Sequence, residues 1–273
     1  MFRHRLLLCL LALSPLTFTS LAHAADGPLS QADRLTQLDL SQYQGKFKAA
    51  AAIFDLNEDR WYKFNKQLCA LPQSPFSTFK IFNTLAGLDS GVLGNLQTTY
   101  KWDGTRMPIK SWERDHDVPS AFSNSVVWYY RRLAEEIGSV RMQAYLDQAD
   151  YGNRDISGGI DNFWLDSSFA VSPNDQVVFL KRLYRNELPF SLEAMRSVRS
   201  IMVDTEDADA ILSGKTGSNW ENGHYTQGWY VGHLEAKRTR LVFAFYIEGE
   251  DASGLVAREM VKRIFRDMKL LPE

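Results

Sequence analysis

Segments typical of β-strands lie at both ends of the sequence, and segments typical of helices lie between them. Residues 47–64 form an apolar run, a polar turn at 57–59 and a second run, which is the pattern of a β-hairpin. Residues 209–215, 227–234 and 240–247 are rich in the aromatic and β-branched side chains that strands favour. These segments predict one sheet that joins the two ends of the chain.

Helical patterns occupy the middle of the chain and its C-terminus. The internal ones are residues 81–88 before Gly91, residues 126–137 before Gly138, and a segment that opens with Ser172-Pro173. The last helix has one apolar face, formed by Val256, Met260, Val261, Ile264, Phe265 and Met268. The sequence therefore predicts a mixed α/β domain in which a helical region is inserted between the strands.

The first 24 residues have the pattern of a secretory signal. Arg3 and Arg5 precede an apolar segment at 6–16, and Ala22-His23-Ala24 is a small-x-small cleavage site. The apolar segment is short and interrupted, which disfavours the alternative of an uncleaved membrane anchor. We therefore predict a cleaved signal peptide at residues 1–24 and a single domain at residues 25–273 of an exported protein.

Charge and cysteine content exclude several classes of function. Loss of residues 1–24 leaves 29 basic against 33 acidic residues, a net charge of −4, so no nucleic acid or anionic membrane partner is expected. The two cysteines are Cys9, in the signal, and Cys69. A disulfide framework is therefore not available, and Cys69 is predicted to be buried, with intermolecular pairing as the alternative. His116, His224 and His233 show no zinc-ligand spacing, so no metal is expected.

Ser77-Thr78-Phe79-Lys80 carries a hydroxyl and an amine at a predicted helix start. The spacing of three places both groups on one helical face, within reach of each other. A serine at a helix N-terminus also lies among free backbone N–H groups that can stabilise an oxyanion. The alternative is a helix start with a solvated lysine.

Two further motifs carry polar groups at the ends of predicted elements. Lys215-Thr216-Gly217 is predicted to end a strand, where a ligand can lie along the strand edge; the alternative is an edge lysine before a turn. Ser125-Val126-Val127 starts the helix at 126–137, and its serine is either a proton relay or an N-cap.

An aromatic, glycine-containing segment follows. Tyr151-Gly152-Asn153 and Phe163-Trp164-Leu165 lack a clear periodicity, which is typical of a packed surface loop. Taken alone, Trp164 is best interpreted as a core-filling side chain.

Taken in order, these five motifs resemble the class D serine β-lactamases (oxacillinases). Trp102-Asp103-Gly104, residues 112–116 and residues 228–232 agree, and the resemblance extends from Phe47 to Pro272. It implies the serine β-lactamase and penicillin-binding-protein fold, an antiparallel sheet flanked by helices, and a periplasmic enzyme that hydrolyses β-lactams.

The resemblance also implies a catalytic apparatus. Ser77 is the expected nucleophile, and Lys80 is expected to carry a carbamate that serves as general base for acylation and deacylation. Carbon dioxide or bicarbonate is therefore the only cofactor expected. Ser125 and Lys215 are expected to pass a proton to the leaving nitrogen. The pocket around the carbamate is expected to consist of Trp164, which donates its indole N–H, with Phe79, Val127 and Leu165.

Substrate contacts follow from the same resemblance. Thr216, Gly217 and Arg258 are expected to bind the drug, with its carboxylate on Thr216 and Arg258. The backbone N–H groups of Ser77 and Ser218 are expected to form the oxyanion hole.

Some positions distinguish this sequence from class A enzymes and from other class D relatives. The loop between Tyr151 and Ser172 has three aspartates, Asp155, Asp161 and Asp166, but no glutamate, so the deacylating glutamate of class A enzymes has no candidate there. Phe82 and Ser218 replace residues common in relatives, and both are expected to border the pocket.

Three functions remain open. The first is a β-lactamase that is a monomer or a homodimer with a small-molecule substrate. The second is a β-lactam sensor domain that stays acylated, before which a membrane-anchored signalling region is expected rather than a signal peptide. The third is a peptidoglycan DD-peptidase of the same superfamily.

Overall fold

The computed structural model describes residues 35, 36, 39–165 and 168–272. The predicted signal peptide at residues 1–24, which contains Cys9, lies outside these residues and stays a prediction. Asp166 of the 151–172 loop also lies outside them.

A six-stranded antiparallel sheet forms the centre of the described chain, in the order β2-β1-β6-β5-β4-β3. The strands are β1 (Lys48–Asp55), β2 (Arg60–Phe64), β3 (Val203–Glu206), β4 (Ala210–Glu221), β5 (His224–Ala236) and β6 (Thr239–Glu248). Strand β1 pairs with β6 from Lys48 opposite Glu248 to Asp55 opposite Leu241. The N-terminal hairpin and the C-terminal strands therefore meet in one sheet, as the sequence predicts.

Helices cover both faces of this sheet. The α-helices are α1 (Ser41–Gln44), α2 (Lys80–Asp89), α3 (Val118–Ser123), α4 (Val127–Ile137), α5 (Ser139–Ala149), α6 (Pro173–Arg185), α7 (Leu192–Ile201) and α8 (Gly254–Asp267). The 3₁₀ turns are Leu68–Ala70, Phe76–Phe79 and Lys110–Trp112. Four predicted helices are confirmed as α2, α4, α6 and α8, whereas α1, α3, α5, α7 and the short β3 are not predicted.

The sheet separates two apolar cores. Strand β1 is buried from its second residue to its last because alternate side chains enter opposite cores. Towards α2–α7 the strand contributes Ala50, Ala52 and Phe54. Towards α8 it contributes Ala49, Ala51 and Ile53. The fold class is therefore mixed α/β, as expected, with the helical region between β2 and β3 on one face. No helix in the described part of the chain is long and apolar enough to cross a bilayer.

Helix α6 begins where the sequence predicts. The Ser172 hydroxyl accepts a hydrogen bond from the Asp175 backbone N–H at 3.1 Å, and the Asp175 carboxylate accepts one from the Ser172 N–H at 2.9 Å. This reciprocal capping box satisfies two N–H groups that would otherwise have no partner. It fixes the end of the loop that carries Trp164.

Cys69 is buried, as predicted. Its thiol donates to the carbonyl oxygens of Ala51 and Phe64, and burial raises its pKa to about 11. The side chain therefore acts as a small core residue with little thiolate character.

His233 on β5 predicts acid sensitivity of the fold. Its imidazole is buried, stacks on Tyr184 with ring centroids 3.9 Å apart, and leaves Nε2 without a partner in the described structure. Burial, with Arg240 and Arg199 nearby, lowers the His233 pKa from 6.5 to about 3. The unfolded chain therefore binds a proton on His233 near pH 6.5, whereas the folded protein does so only near pH 3. The free energy of unfolding consequently decreases as pH falls from 6.5 towards 3, by a few kcal/mol at most (about 1.4 kcal/mol per pKa unit).

Equilibrium unfolding measured between pH 7 and 4 tests this prediction. The free energy of unfolding of His233→Phe is expected to vary less with pH than that of the wild-type protein. The variant His224→Gln, which removes a half-buried histidine at the start of β5, should keep the wild-type slope. Equal slopes for the wild type and His233→Phe would contradict the assignment.

Candidate active site

Ser77 lies in the 3₁₀ turn Phe76–Phe79 that leads into α2. Phe76 has a φ of 48°, a conformation that a bulky residue rarely adopts, and its N–H donates to the Trp164 carbonyl at 3.1 Å. Ser77 is the half-exposed member of a turn whose other residues are buried. The strained backbone thus presents one hydroxyl at the surface of the core.

Buried hydrogen bonds hold this turn from below. The Thr78 hydroxyl donates to the Pro75 carbonyl at 2.8 Å and accepts from Gln176 Nε2 at 2.9 Å. Gln176 Oε1 in turn accepts from the Tyr151 hydroxyl at 2.9 Å. Tyr151, singled out in the sequence as part of an aromatic loop, therefore positions the serine turn through Gln176, which the sequence analysis does not identify.

Lys80 is fully buried, and its Nζ donates to Ser77 Oγ at 2.8 Å. Burial lowers the Lys80 pKa well below its usual range, and the nearby Lys215 lowers it further. The Tyr130 ring lies under the amine, 5.3 Å from Nζ to the ring centroid. The predicted serine–lysine contact is confirmed, and a solvated lysine is excluded.

Trp164 is fully buried and stacks on Phe79, with centroids 5.5 Å apart and planes 15° from parallel. Its indole Nε1–H is inaccessible to solvent and has no acceptor in the described structure. A buried donor without a partner costs about 1–3 kcal/mol, and such groups are rare in native proteins. Trp164 is therefore a core side chain that leaves one polar atom, its Nε1–H, without a partner among the described residues.

The other expected pocket residues differ in burial. Phe79 is completely buried, whereas Val127 and Leu165 are half-buried. Phe82, expected to border the pocket, packs instead in the core behind Phe79, at a centroid distance of 5.3 Å.

Ser125 and Lys215 are brought together although they are 90 positions apart. Lys215 Nζ donates to Ser125 Oγ at 2.5 Å, and burial lowers the Lys215 pKa to about 7. Ser125 has a φ of 55° and does not cap α4, whose N-cap position is Val126, so the N-cap interpretation is wrong. Lys215 lies inside β4, which continues to Glu221, so the prediction that its motif ends a strand is also wrong.

Strand β4 passes directly beside the Ser77 turn at Gly217. A Cβ at this position would lie 2.7 Å from the Pro75 carbonyl oxygen and 3.1 Å from Thr78 Cγ2, so the approach requires glycine. Ser218 follows, and its Oγ accepts from the Gly254 N–H at the start of α8, at 2.8 Å. The segments that carry the Ser77 and Ser218 backbone N–H groups are therefore neighbours.

Arg258 of α8 lies beside Lys215 and Thr216 of β4. A cavity of about 170 Å³ is lined by Lys215, Thr216, Tyr230, Asp204 and Arg258, among others. Asp204, which the sequence analysis does not identify, lies with its Oδ1 3.4 Å from Arg258 Nη1. The cavity thus combines cationic groups with one carboxylate.

Neither of the described aspartates of the 151–172 loop, Asp155 and Asp161, is among the partners of Lys80. Asp155 is exposed and accepts from the Ser157 N–H at 2.8 Å, and Asp161 is half-buried beside Gly159. Among the described residues, the groups that interact with Lys80 Nζ are those of Ser77, Tyr130 and Lys215, and none of them is a carboxylate.

Comparison with known proteins identifies relatives of this chain. Residues 37–266 match the penicillin binding protein transpeptidase domain. The chain is 37% identical over 219 residues to the probable beta-lactamase YbxI of Bacillus subtilis, a match that covers 80% of each protein. It is 35% identical over 237 residues to the regulatory protein BlaR1 of Bacillus licheniformis, covering 86% of the chain and 39% of BlaR1.

Solved structures agree on the fold. The class D beta-lactamase BAT-2 superposes with a TM-score of 0.84 at 34% identity, covering 88% of the chain and 99% of that protein. The six-stranded antiparallel sheet and its helices therefore match the serine β-lactamase and penicillin-binding-protein fold.

Proposed function

Because the chain belongs to the penicillin-binding protein transpeptidase family and, within it, to the class D β-lactamases, we propose that it hydrolyses β-lactams through an acyl-enzyme on Ser77. The observation that carries this proposal is the fully buried Lys80 amine 2.8 Å from the Ser77 hydroxyl. A lysine whose charge is suppressed beside a serine activates that serine as a nucleophile.

In the acylation step, Ser77 Oγ gives its proton to the base at Lys80, attacks the lactam carbonyl carbon and forms an ester. The negative charge that develops on the carbonyl oxygen is stabilised by the backbone N–H groups of Ser77 and Ser218. These donors are carried by the serine turn and by β4, which Gly217 allows to approach.

The lactam C–N bond breaks as its nitrogen takes a proton. Ser125 Oγ gives this proton and recovers one from Lys215 Nζ, its partner at 2.5 Å. A Lys215 pKa of about 7 suits the transfer, because an acid whose pKa lies near the working pH both holds and releases its proton readily. Water then hydrolyses the ester and restores Ser77.

Two observations on the described residues support a carbamate on the Lys80 amine: the amine is fully buried, and its pKa lies well below the usual range. A carboxylate there needs a hydrogen-bond donor in a dry pocket, and the Trp164 indole N–H is a buried donor without a partner among the described residues. When formed from carbon dioxide, the carbamate supplies the general base for acylation and deacylation. Trp164 would hold its charge, while Phe79, Val127 and Leu165 limit the access of water.

Substrate binding is assigned to the cavity beside β4. Thr216 and Arg258 line it, and a planar guanidinium suits a carboxylate such as that of a β-lactam. Gly217 leaves the strand edge free of a side chain. The predicted export signal at residues 1–24 supports a periplasmic enzyme, which we propose acts as a monomer or a homodimer.

A second candidate function is favoured by the similarity to BlaR1, a regulatory protein. A sensor domain with the same serine would be acylated and stay so. The first test is therefore turnover: purified protein mixed with excess chromogenic cephalosporin should hydrolyse many equivalents. A single equivalent followed by a stable adduct, detected by mass spectrometry, would contradict the hydrolase and support the sensor.

Bicarbonate should raise the rate of hydrolysis. Protonation of the Lys80 amine competes with carbon dioxide, so the carbamate is lost as pH falls, and added bicarbonate restores it. We expect kcat in degassed buffer to rise about two- to tenfold on addition of bicarbonate at pH 6, and less at pH 8. Chloride at equal ionic strength is the control, and an identical response to both salts at either pH would contradict a carbamate base.

A further inference from the structure

Asp204 on β3 lies in the cavity assigned to the substrate carboxylate. Its Oδ2 accepts from Lys262 Nζ at 3.0 Å and from the Tyr230 hydroxyl at 3.1 Å, while Oδ1 lies 3.4 Å from Arg258 Nη1. Only 17% of its side chain is exposed. An anion fixed where an anionic substrate should bind requires an explanation.

The contact between Asp204 and Arg258 is loose. Charge-assisted N–H···O bonds measure about 2.7–2.9 Å, whereas this one is 3.4 Å and involves one guanidinium nitrogen. The second partner of Arg258 is Glu259, 3.2 Å from Nε and largely exposed. Since a guanidinium carries five N–H donors, Arg258 retains others for a second carboxylate.

Lys262 makes this arrangement reversible. Its side chain is 12% exposed and holds the other oxygen of Asp204 at the shorter distance of 3.0 Å. If Arg258 turns away, the Asp204 charge stays paired with Lys262 and bonded to Tyr230. Removing one partner of a buried ion pair costs free energy when the other charge is left unpaired. Asp204 would not be left unpaired, because Lys262 stays beside it.

We propose that Asp204 is a specificity-determining positioning residue, an internal carboxylate that competes with the substrate carboxylate for Arg258. Binding of an anionic β-lactam then exchanges one carboxylate for another on the same guanidinium. Asp204 weakens the binding of every anionic ligand at this site, and the Lys262 ammonium limits that effect by drawing Asp204 away from Arg258. This inference rests on the proposed function, because it takes a β-lactam carboxylate as the ligand.

The central test is Asp204→Asn, with benzylpenicillin as the substrate. Loss of the competing charge should lower KM about three- to tenfold and change kcat less than twofold. Asp204→Glu, which keeps the charge, should have a KM close to that of the wild type. A KM for Asp204→Asn that is unchanged or raised, in a variant whose Tm shows that it is folded, overturns the proposal.

Two further variants test whether Asp204 changes KM through its specific pairing with Arg258 and Lys262. Lys262→Gln should raise KM, because Asp204 then pairs with Arg258 alone. Glu259→Gln removes the same unit of charge beside the same guanidinium but at a side chain that is 61% exposed, and should change KM less than twofold. Equal decreases of KM in Glu259→Gln and Asp204→Asn would indicate general charge and overturn a specific role.

A double-mutant cycle tests whether Asp204 acts through Arg258. In an Arg258→Gln background, Asp204→Asn should no longer lower KM. An undiminished decrease there would mean that Asp204 repels the substrate directly, and the competition for Arg258 would be wrong.

A binding measurement separates this inference from the proposed function. In a Ser77→Ala background, the dissociation constant of intact benzylpenicillin is measured by calorimetry, without turnover. Asp204→Asn should tighten it about three- to tenfold even if the wild-type protein proves to be a sensor that does not turn over. Unchanged affinity overturns the inference while leaving hydrolysis by the wild type untouched.

Discussion

Replacement of Ser77 by alanine is expected to abolish formation of the acyl-enzyme and to lower kcat/KM by about 10⁴-fold or more. No other hydroxyl is bonded to the Lys80 amine in the described structure, so no second nucleophile is positioned to replace it. Ser125 accepts from Lys215 and lies on a different segment. The loss should therefore appear in acylation and leave substrate binding largely intact.

Mass spectrometry after mixing with a β-lactam measures this directly. In samples quenched with acid during turnover, the wild-type protein should transiently gain the mass of the intact drug, and Ser77→Ala should gain none. Ser90→Ala is the matched control: this serine lies at the end of α2, where its hydroxyl donates to the Gly87 carbonyl, and its removal should leave acylation unchanged. An adduct on Ser77→Ala, mapped to another residue, would reject Ser77 as the nucleophile.

The sheet could be predicted from the sequence because its strands carry strong local signals. Apolar and aromatic runs in β1, β5 and β6 identify strands whichever partners they find. The short β3 has no such signal, since its four residues are exposed or half-buried and are ordered by pairing with β4. Helix α5 begins immediately after Gly138, whose φ of 80° ends α4, so one glycine serves as a boundary for both helices.

The site divides in the same way. The Ser77–Lys80 contact is local and follows from helical spacing alone. The Ser125–Lys215 contact joins residues 90 positions apart, so it depends on how α4 lies against β4, which no local pattern encodes. The role of Asp204 could not be predicted from the sequence for two reasons. Its strand β3 is short, and its partners Arg258 and Lys262 lie on α8.

Trp164 shows why burial alone underdetermines function. An isolated tryptophan in a loop is usually a packing residue, and its complete burial agrees with that interpretation. What distinguishes it is a polar atom without a partner in the described structure. An unpaired buried donor is destabilising, and the carbamate proposed on Lys80 would give this one an acceptor.

Replacement of Trp164 should therefore slow deacylation more than acylation. Trp164→Phe keeps an aromatic ring against Phe79 and removes the N–H, which isolates the donor from the packing. Trp164→Ala removes both, and a large-to-small change in a core costs about 3–5 kcal/mol of stability. We expect either variant to lower kcat by about 10²-fold or more, with the acyl-enzyme accumulating, because a general base typically contributes about 10²–10⁴-fold.

Two measurements connect this loss to the Lys80 carbamate. With ¹³C-labelled bicarbonate, NMR should detect a carbamate signal in the wild-type protein that is weaker or absent in Trp164→Phe. High bicarbonate should restore part of the lost turnover, since mass action opposes the weaker binding of the added carboxylate. Trp61→Phe, a half-buried tryptophan that packs on Phe54 in the β1–β2 hairpin, should keep both the signal and the rate. If Trp164→Phe turns over at the wild-type rate with an undiminished carbamate signal, the indole N–H does not hold the base, and its unsatisfied donor needs another explanation.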